Sequence, residues 1–215
     1  MNIDTRLVAL VVLVLGIVGF GTYLWISPSP SATTSALPTT QPRIELSPEV
    51  EAVLAQKMAI LEGLSRENVV LADVMISNNN NRALAQTDIK RLDDEWQTSE
   101  GVTPFIQQFL SNDSARRLLA FQKEYPGFKE IFVTDMYGLN VSQTDKTSDY
   151  YQADEAWWQN SFNGGAGEKL HGQIEFDESS QTEAISLYVP IIDTSSKAIG
   201  VLKGVLDLAV IKREL

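Results

Sequence analysis

The sequence predicts an α+β domain with an antiparallel sheet, carried behind one transmembrane helix. Three observations predict it. Leu7 to Ile26 is an unbroken run of apolar, Gly and Thr residues, and about 20 such residues span a bilayer core. Between 48 and 125 the apolar residues recur at helical spacing. Beyond 130 they alternate in short runs joined by brief turns. Helices first, then short-connected strands, favour an antiparallel sheet over βαβ units.

The elements follow in order. Residues 1–6 form a cytoplasmic stub, because Arg6 precedes the apolar run and the next basic residue is Arg43. Tyr23 and Trp25 sit where an outer aromatic belt would lie. A cleaved signal peptide is the rival reading, but its apolar region is shorter, roughly 7–15 residues. Residues 27–43 are a linker, with Pro28, Pro30, Pro38 and Pro42 spread among Ser, Thr and Ala.

Ser47-Pro48 is a helix start, with Ser as N-cap and Pro at the first helical position. Leu54, Met58, Leu61, Leu64, Leu71 and Met75 then mark one long amphipathic helix over 48–76, with a gap near Asn68. Its apolar stripe is a packing face and a candidate seam for a homodimer. Asn78 to Asn81 are expected to end it in a turn. Three shorter helices are predicted over 87–97, after the Thr103-Pro104 cap, and over 114–125, where Pro126-Gly127 stops the last.

Strands are predicted at 130–134, 139–143, 170–176, 184–192 and 198–208. Asp135-Met136-Tyr137-Gly138 fits a type I turn, with Asp first and Gly fourth. In the last strand Gly200 and Gly204 share a face with Leu202 and Leu206, and leave room for a helix to approach. The opposite face of that strand mixes Val201, Lys203, Val205 and Asp207, and is one that can look into a cavity. In the fourth strand Ile185, Leu187, Val189 and Ile191 line one face, and Ser186 and Tyr188 line the other. Residues 208–215 open a further helix.

Composition removes several function classes. The chain of 215 residues carries a formal net charge of -11, which disfavours nucleic acid and anionic membrane surfaces as partners. It has no cysteine and one histidine, His171. Thiolate metal sites, disulfides and cysteine nucleophiles are therefore excluded, and a lone strand histidine is more often structural than a ligand. The glycine-rich 164–167 loop lacks the Lys-Ser/Thr of a phosphate loop. No cofactor is called for.

The chemistry concentrates in 147–158, where Tyr150, Tyr151, Trp157 and Trp158 stand among Asp149, Asp154 and Glu155. Aromatic faces with a few convergent polar groups are what small-molecule pockets are built from. The plain alternative is that the tryptophans only pack into the core and that Asp154 and Glu155 only cap a helix.

These segments resemble a family. Glu130–Gly138, Thr147–Trp158, Tyr188–Asp193 and Ile199–Leu208, behind an anchor and a long helix, are similar in order and spacing to extracytoplasmic Cache (PDC) sensor domains. The resemblance covers residues 44–215. It implies a PAS-like five-stranded antiparallel sheet, extracytoplasmic placement in a single-pass membrane protein, and a role in signal transduction. It implies a ligand site built from Tyr150, Asp154, Glu155, Trp157, Trp158, Asp177, Tyr188 and Lys203. Two positions depart from the amino-acid-binding pattern. Glu155 stands where that pattern has the Arg that grips a ligand carboxylate, and Val205 stands where it has an Asp. Trp157 and Trp158 offer electron-rich faces, and in the family arrangement Asp154, Glu155 and Asp177 lie near them, so an amine or a neutral polar metabolite is expected in place of a carboxylate, with Lys203 as the seat of a carboxylate in the other case. The chain stops at Leu215, which leaves a stand-alone anchored sensor or a fragment of a longer receptor. A ligand-free membrane-anchored scaffold is the alternative function. An acid/base enzyme is disfavoured, because Asp154 and Glu155 are adjacent and point about 100° apart on a helix.

Overall fold

The computed structural model describes residues 45–177 and 182–215. The 7–26 apolar run and the 27–43 linker lie outside the described residues. Among the described residues no helix is long and apolar enough to cross a membrane. Five helices come first: α1 (Pro48–Ser65), α2 (Asn68–Asn81), α3 (Gln86–Thr98), α4 (Pro104–Ser111) and α5 (Asp113–Glu124). The strands β1 (Phe128–Asp135) and β2 (Asn140–Gln143) follow, then α6 (Ala156–Phe162) and a short 3₁₀ turn at Asn163–Gly165. The strands β3 (Leu170–Asp177), β4 (Thr182–Ile192) and β5 (Ala198–Asp207) lead into α7 (Leu208–Glu214). All strand pairs are antiparallel, in the order β2-β1-β5-β4-β3.

Helix starts behave as their residue types dictate. Ser47 accepts a hydrogen bond from the Val50 amide, Thr103 from Ile106 and Asn112 from Ala115, each satisfying a donor that the first turn leaves open. The single helix expected over 48–76 is two. Arg66 closes α1, and Glu67 is extended with ψ 137°. There Glu67 binds Arg117 of α5 through two hydrogen bonds of 2.7 Å, a bidentate pair that fixes the break. The asparagine run does not end α2 in a turn; it remains helical to Asn81. Asn78 donates to Ile199 O at 2.8 Å and accepts from the Met136 amide at 2.8 Å. Asn81 donates to Asp135 Oδ2 at 2.7 Å. These bonds to the sheet outweigh the local turn preference of Asn.

The helices α1 and α2 cover one face of the sheet. Leu54, Leu61, Leu64, Val70 and Val74 are buried with Ile131, Val133, Ile185, Leu187, Val189, Leu202 and Leu206. The apolar stripe, expected as a packing face and a candidate dimer seam, packs on the chain's own sheet, and of its six residues Met75 alone is exposed. The close approach falls at the two β5 glycines. A Cβ added at Gly204 would lie 2.8 Å from Leu61 Cδ1, and one at Gly200 would lie 2.2 Å from Thr134 O. On the other face α6 packs against β4 and β5, and the candidate site forms there.

The predicted Asp135–Gly138 turn is present. The Gly138 amide donates to Asp135 O at 3.1 Å, with Gly138 at φ +77°. The Asp135 side chain is fully buried. It accepts from Ser77 Oγ, Asn81 Nδ2 and the Tyr137 and Leu139 amides. Burial nonetheless raises its pKa above the ordinary 3.8, and these hydrogen bonds only partly offset it.

Two predictions follow from the packing and the turn. Gly200→Ala should destabilise the fold by at least about 1–3 kcal/mol, because backbone must move. Gly63→Ala, with open space around an added Cβ, should stabilise it by roughly 0.5–1 kcal/mol. Denaturant unfolding checks the pair, and equal midpoints would contradict the packing described. Asp135 gives a pH prediction. A carboxyl with a raised folded pKa contributes stability that is fully present below its unfolded pKa and is lost as pH rises through the folded one. The stability of the native protein relative to Asp135→Asn should therefore be greatest in acid and shrink as pH rises above 3.8. Unfolding midpoints across a pH series measure it, and an advantage that grows with pH would contradict the burial account.

Candidate functional site

The site is built on the sheet face that α1 and α2 leave open. Register sets its floor. Gln143, Phe132, Lys203, Tyr188 and Leu170 lie in one row across all five strands, and paired residues in an antiparallel sheet share a face. The next row carries Val205 and Ser186. Above the floor runs the 147–155 segment, then α6. This cover is tied down by the chain's own polar groups. Asn140 Nδ2 donates to Thr147 Oγ1 at 2.8 Å and to Asp149 O at 2.9 Å. The Gln152 amide donates to Gly138 O at 2.7 Å.

Between cover and floor is a cavity of about 250 Å³, lined by Ser148, Asp149, Gln152, Glu155, Trp157, Gly172, Gln173, Glu175, Phe176, Ala184, Ser186, Tyr188 and Lys203. The tryptophans divide the work. Trp157 stacks on Tyr188 with ring centroids 5.0 Å apart and 12° between planes. Lys203 Nζ lies 5.2 Å from the Trp157 ring and 5.3 Å from Phe132, a cation–π arrangement. Trp158 is buried beneath, packed on Tyr188 and Val201. It stacks on Phe162 at 4.7 Å, and its Nε1 donates to Thr134 Oγ1 at 2.9 Å.

The carboxyl groups converge on the phenol. Burial pushes the Tyr188 hydroxyl up to about 12, with the negative charges of Glu175 and Glu155 adding to it against a hydrogen bond with Ser186. Gly172 leaves room for that hydroxyl, since a Cβ there would meet it at 3.3 Å. Burial also raises the Asp149 carboxyl, as do Asp93 and Asp154, against bonds from Ser148 and Gln152. Among the described residues Lys203 forms no ion pair, and it is the sole cation in the lining.

The structure sorts the residues singled out from sequence. Glu155, Trp157, Tyr188 and Lys203 line the cavity together. Trp158 supports it from below. Asp154 is exposed and outside the lining. Asp177 ends β3, in register with Thr182. Tyr150 lies elsewhere, buried in an aromatic cluster with Trp96, Phe105 and Phe109. Asp149, part of the aromatic-acidic stretch but not of the expected ligand site, also lines the cavity, as do Gln152, Gln173 and Glu175, which the sequence does not single out. Alternation along β3 puts Glu175 on the same face as Ser186, but the bulge between His171 and Ile174 hides this from a simple period-two reading. His171 bridges to Glu51 of α1 at 3.3 Å and faces away from the cavity side. No group of His, Asp and Glu side chains fit to hold a metal occurs among the described residues. A larger cavity, about 610 Å³, lies by α7 and the α5–β1 corner. It holds none of the expected ligand-site residues, and its Lys57 is paired with Glu214 at 2.6 Å.

Trp158→Phe keeps the stacking and removes the buried N–H bond. It should cost about 1 kcal/mol of stability. Denaturant unfolding checks it, and an unchanged midpoint would show that the indole nitrogen does not anchor α6.

No family model matches the sequence, and no curated protein matches it. Solved structures do. The E. coli DcuS sensor domain is 22% identical at TM-score 0.35, covering 60% of this chain and 92% of that one. The V. cholerae histidine kinase DctB sensor domain is 16% identical at TM-score 0.38, covering 77% and 60%. The ligand-binding domain of the Pseudomonas aeruginosa PAO1 amino acid chemoreceptor PctB, solved with L-Arg, is 14% identical at TM-score 0.40, covering 77% and 54%. This chain thus spans little more than half the length of the last two. The solved structures it is similar to are sensor domains of histidine kinases and chemoreceptors.

Proposed function

We propose that residues 44–215 form an extracytoplasmic small-molecule sensor domain of the Cache type, held at the membrane by residues 7–26. Its ligand occupies the cavity between the 147–155 segment, α6 and the β3–β5 face. The observation that carries this reading is the lining itself. Asp149, Glu155 and Glu175 converge around Tyr188 and Trp157 opposite one cation, Lys203. A polar cavity with few, convergent charged groups suits a small ligand. Because acids outnumber bases there, a hydrophilic amine is the favoured class. The carboxylates hold it. Trp157 contributes a wall and not a free face, since it is covered by Tyr188 and Lys203, and Trp158 lies beneath the cavity, stacked on Phe162.

A second reading has its own support. Lys203, held over two rings and in no ion pair among the described residues, suits a ligand carboxylate. Signal output would pass through α1 and α2, which pack on the floor strands from behind.

Calorimetry of the full-length protein with ethanolamine and with succinate separates the two. The amine reading expects ethanolamine to bind, about tenfold or more weaker in Glu155→Gln or Glu175→Gln, since a hydrogen bond to a charged group is lost. Succinate binding that disappears in Lys203→Ala, with no amine binding across a panel of small amines, would replace it with the carboxylate reading. Absence of binding for both classes would favour a ligand-free scaffold.

A further inference from the structure

Tyr150 belongs to the aromatic-acidic stretch, yet it contributes nothing to the α6-side cavity. It lines a different one, of about 440 Å³, on the other side of β2 between α2, α3 and α4. One wall is apolar and aromatic, with Leu84, Phe105 and Phe109. The Tyr150 ring lies 5.4 Å from Phe105 and 5.3 Å from Phe109. The other wall is polar and has a definite hydrogen-bonding sense. Asn81 Nδ2 donates inward to Ser77 Oγ and Asp135 Oδ2, so its Oδ1 is turned the other way. Asp73 uses Oδ2 to accept from the Ser114 amide and hydroxyl at 2.9 and 2.7 Å. Among the described residues neither Asp73 Oδ1 nor the Tyr150 hydroxyl has a protein hydrogen bond. Asn81 and Asn112 thus spend their amide donors on the protein, which leaves Asp73 Oδ1, Asn81 Oδ1 and the Tyr150 hydroxyl oxygen as acceptors, beside the Asn80 and Gln108 amides of the lining.

Charge agrees with this polarity. The lining includes one acid, Asp73, and no base. Beneath it lies the buried Asp135 carboxyl, close enough that its charge adds to burial in raising the Tyr150 phenol. A cation beside Tyr150, Phe105 and Phe109 would meet the Asp73 carboxylate and an aromatic wall. An anion could take the Tyr150 hydroxyl and the Asn80 and Gln108 amides as donors, but it would meet the Asp73 carboxylate with no base in the lining to offset it.

We propose that this cavity is a second small-molecule site, separate from the α6-side site, for an organic cation with an apolar body. The ammonium group sits against Asp73 Oδ1, Asn81 Oδ1 and the Tyr150 hydroxyl. The hydrocarbon body packs on Leu84, Phe105 and Phe109. Because α2 supplies Asp73 and Asn81 and also clamps the β1–β2 turn through Asn78 and Asn81, occupancy would stiffen the same helix that backs the sheet.

The test titrates the full-length protein with 2-phenylethylamine by calorimetry, beside 2-phenylethanol and 3-phenylpropanoate as neutral and anionic controls. Saturable binding of the amine is expected, with the alcohol weaker and the anion not bound. Asp73→Asn should weaken the amine by about tenfold or more. Leu84→Trp, which fills the cavity without touching its hydrogen bonds, should abolish binding and keeps the test decisive if Asp73→Asn unfolds. Affinity that falls in Glu155→Gln but not in Leu84→Trp would place the amine in the α6-side cavity and overturn this inference while leaving the first site standing. No binding of the amine, or equal binding of amine and anion, overturns it as well.

Discussion

The whole arrangement depends on how closely α1 and α2 approach β5. That strand is the centre of the sheet, hydrogen-bonded to β1 on one side and β4 on the other. Gly204 lets Leu61 settle against the strand, and Gly200 lets the strand pass close to Thr134 O and Val74. One face of the sheet is thereby sealed with fully buried Leu, Ile and Val side chains, each contributing on the order of 1.5–3 kcal/mol. The opposite face is then available for polar chemistry. Lys203 and Tyr188 sit on it in register because the residues that alternate with them, Leu202 and Leu187, point into the sealed core.

A second constraint ties the helices to the cover of the site. Asp135 gathers donors from α2 and from its own turn, and Gly138 of that turn accepts from Gln152 of the 147–155 segment. An added Cβ at Gly138 would fall 2.4 Å from Ala153 Cβ, so turn and segment are in close contact. A ligand that repositions Asp149 or Gln152 acts on the hairpin that α2 holds. This is a contiguous set of contacts with a physical route for coupling, and a demonstrated two-state element is what would turn it into an allosteric path.

Much of this was legible in the sequence, and what was not has identifiable reasons. The alternation in 184–192 and the glycines of 198–208 gave the sealed and open faces. Asp135 and Gly138 gave the turn, and Ser47, Thr103 and the Pro residues after them gave two helix starts. The break at Arg66–Glu67 was visible only as a gap near Asn68, because its cause is the bidentate contact with Arg117, 50 residues away. The asparagine run misled for the same reason, its side chains being held by the sheet. Within the site, Trp157, Tyr188 and Lys203 could be found from strand faces and aromatic content. Gln173 lies within, and Glu175 just beyond, a bulge that shifts the register of β3. The place of Tyr150 could not be read locally. It is fixed by Asp93 Oδ1, which accepts from the Tyr150 and Tyr151 amides at 2.8 and 3.0 Å and draws the segment toward α3.

The central claim is that the polar face of β3–β5 under α6 receives the ligand. The most direct measurement is amide and indole chemical-shift mapping by NMR on the full-length protein titrated with ethanolamine. The account predicts saturable shifts centred on Glu155, the Trp157 indole, Gly172, Glu175 and Ser186, with smaller ones reaching Gly138 and Asn78. Shifts confined to α1–α5, or none that saturate for amines or for carboxylates, would contradict it.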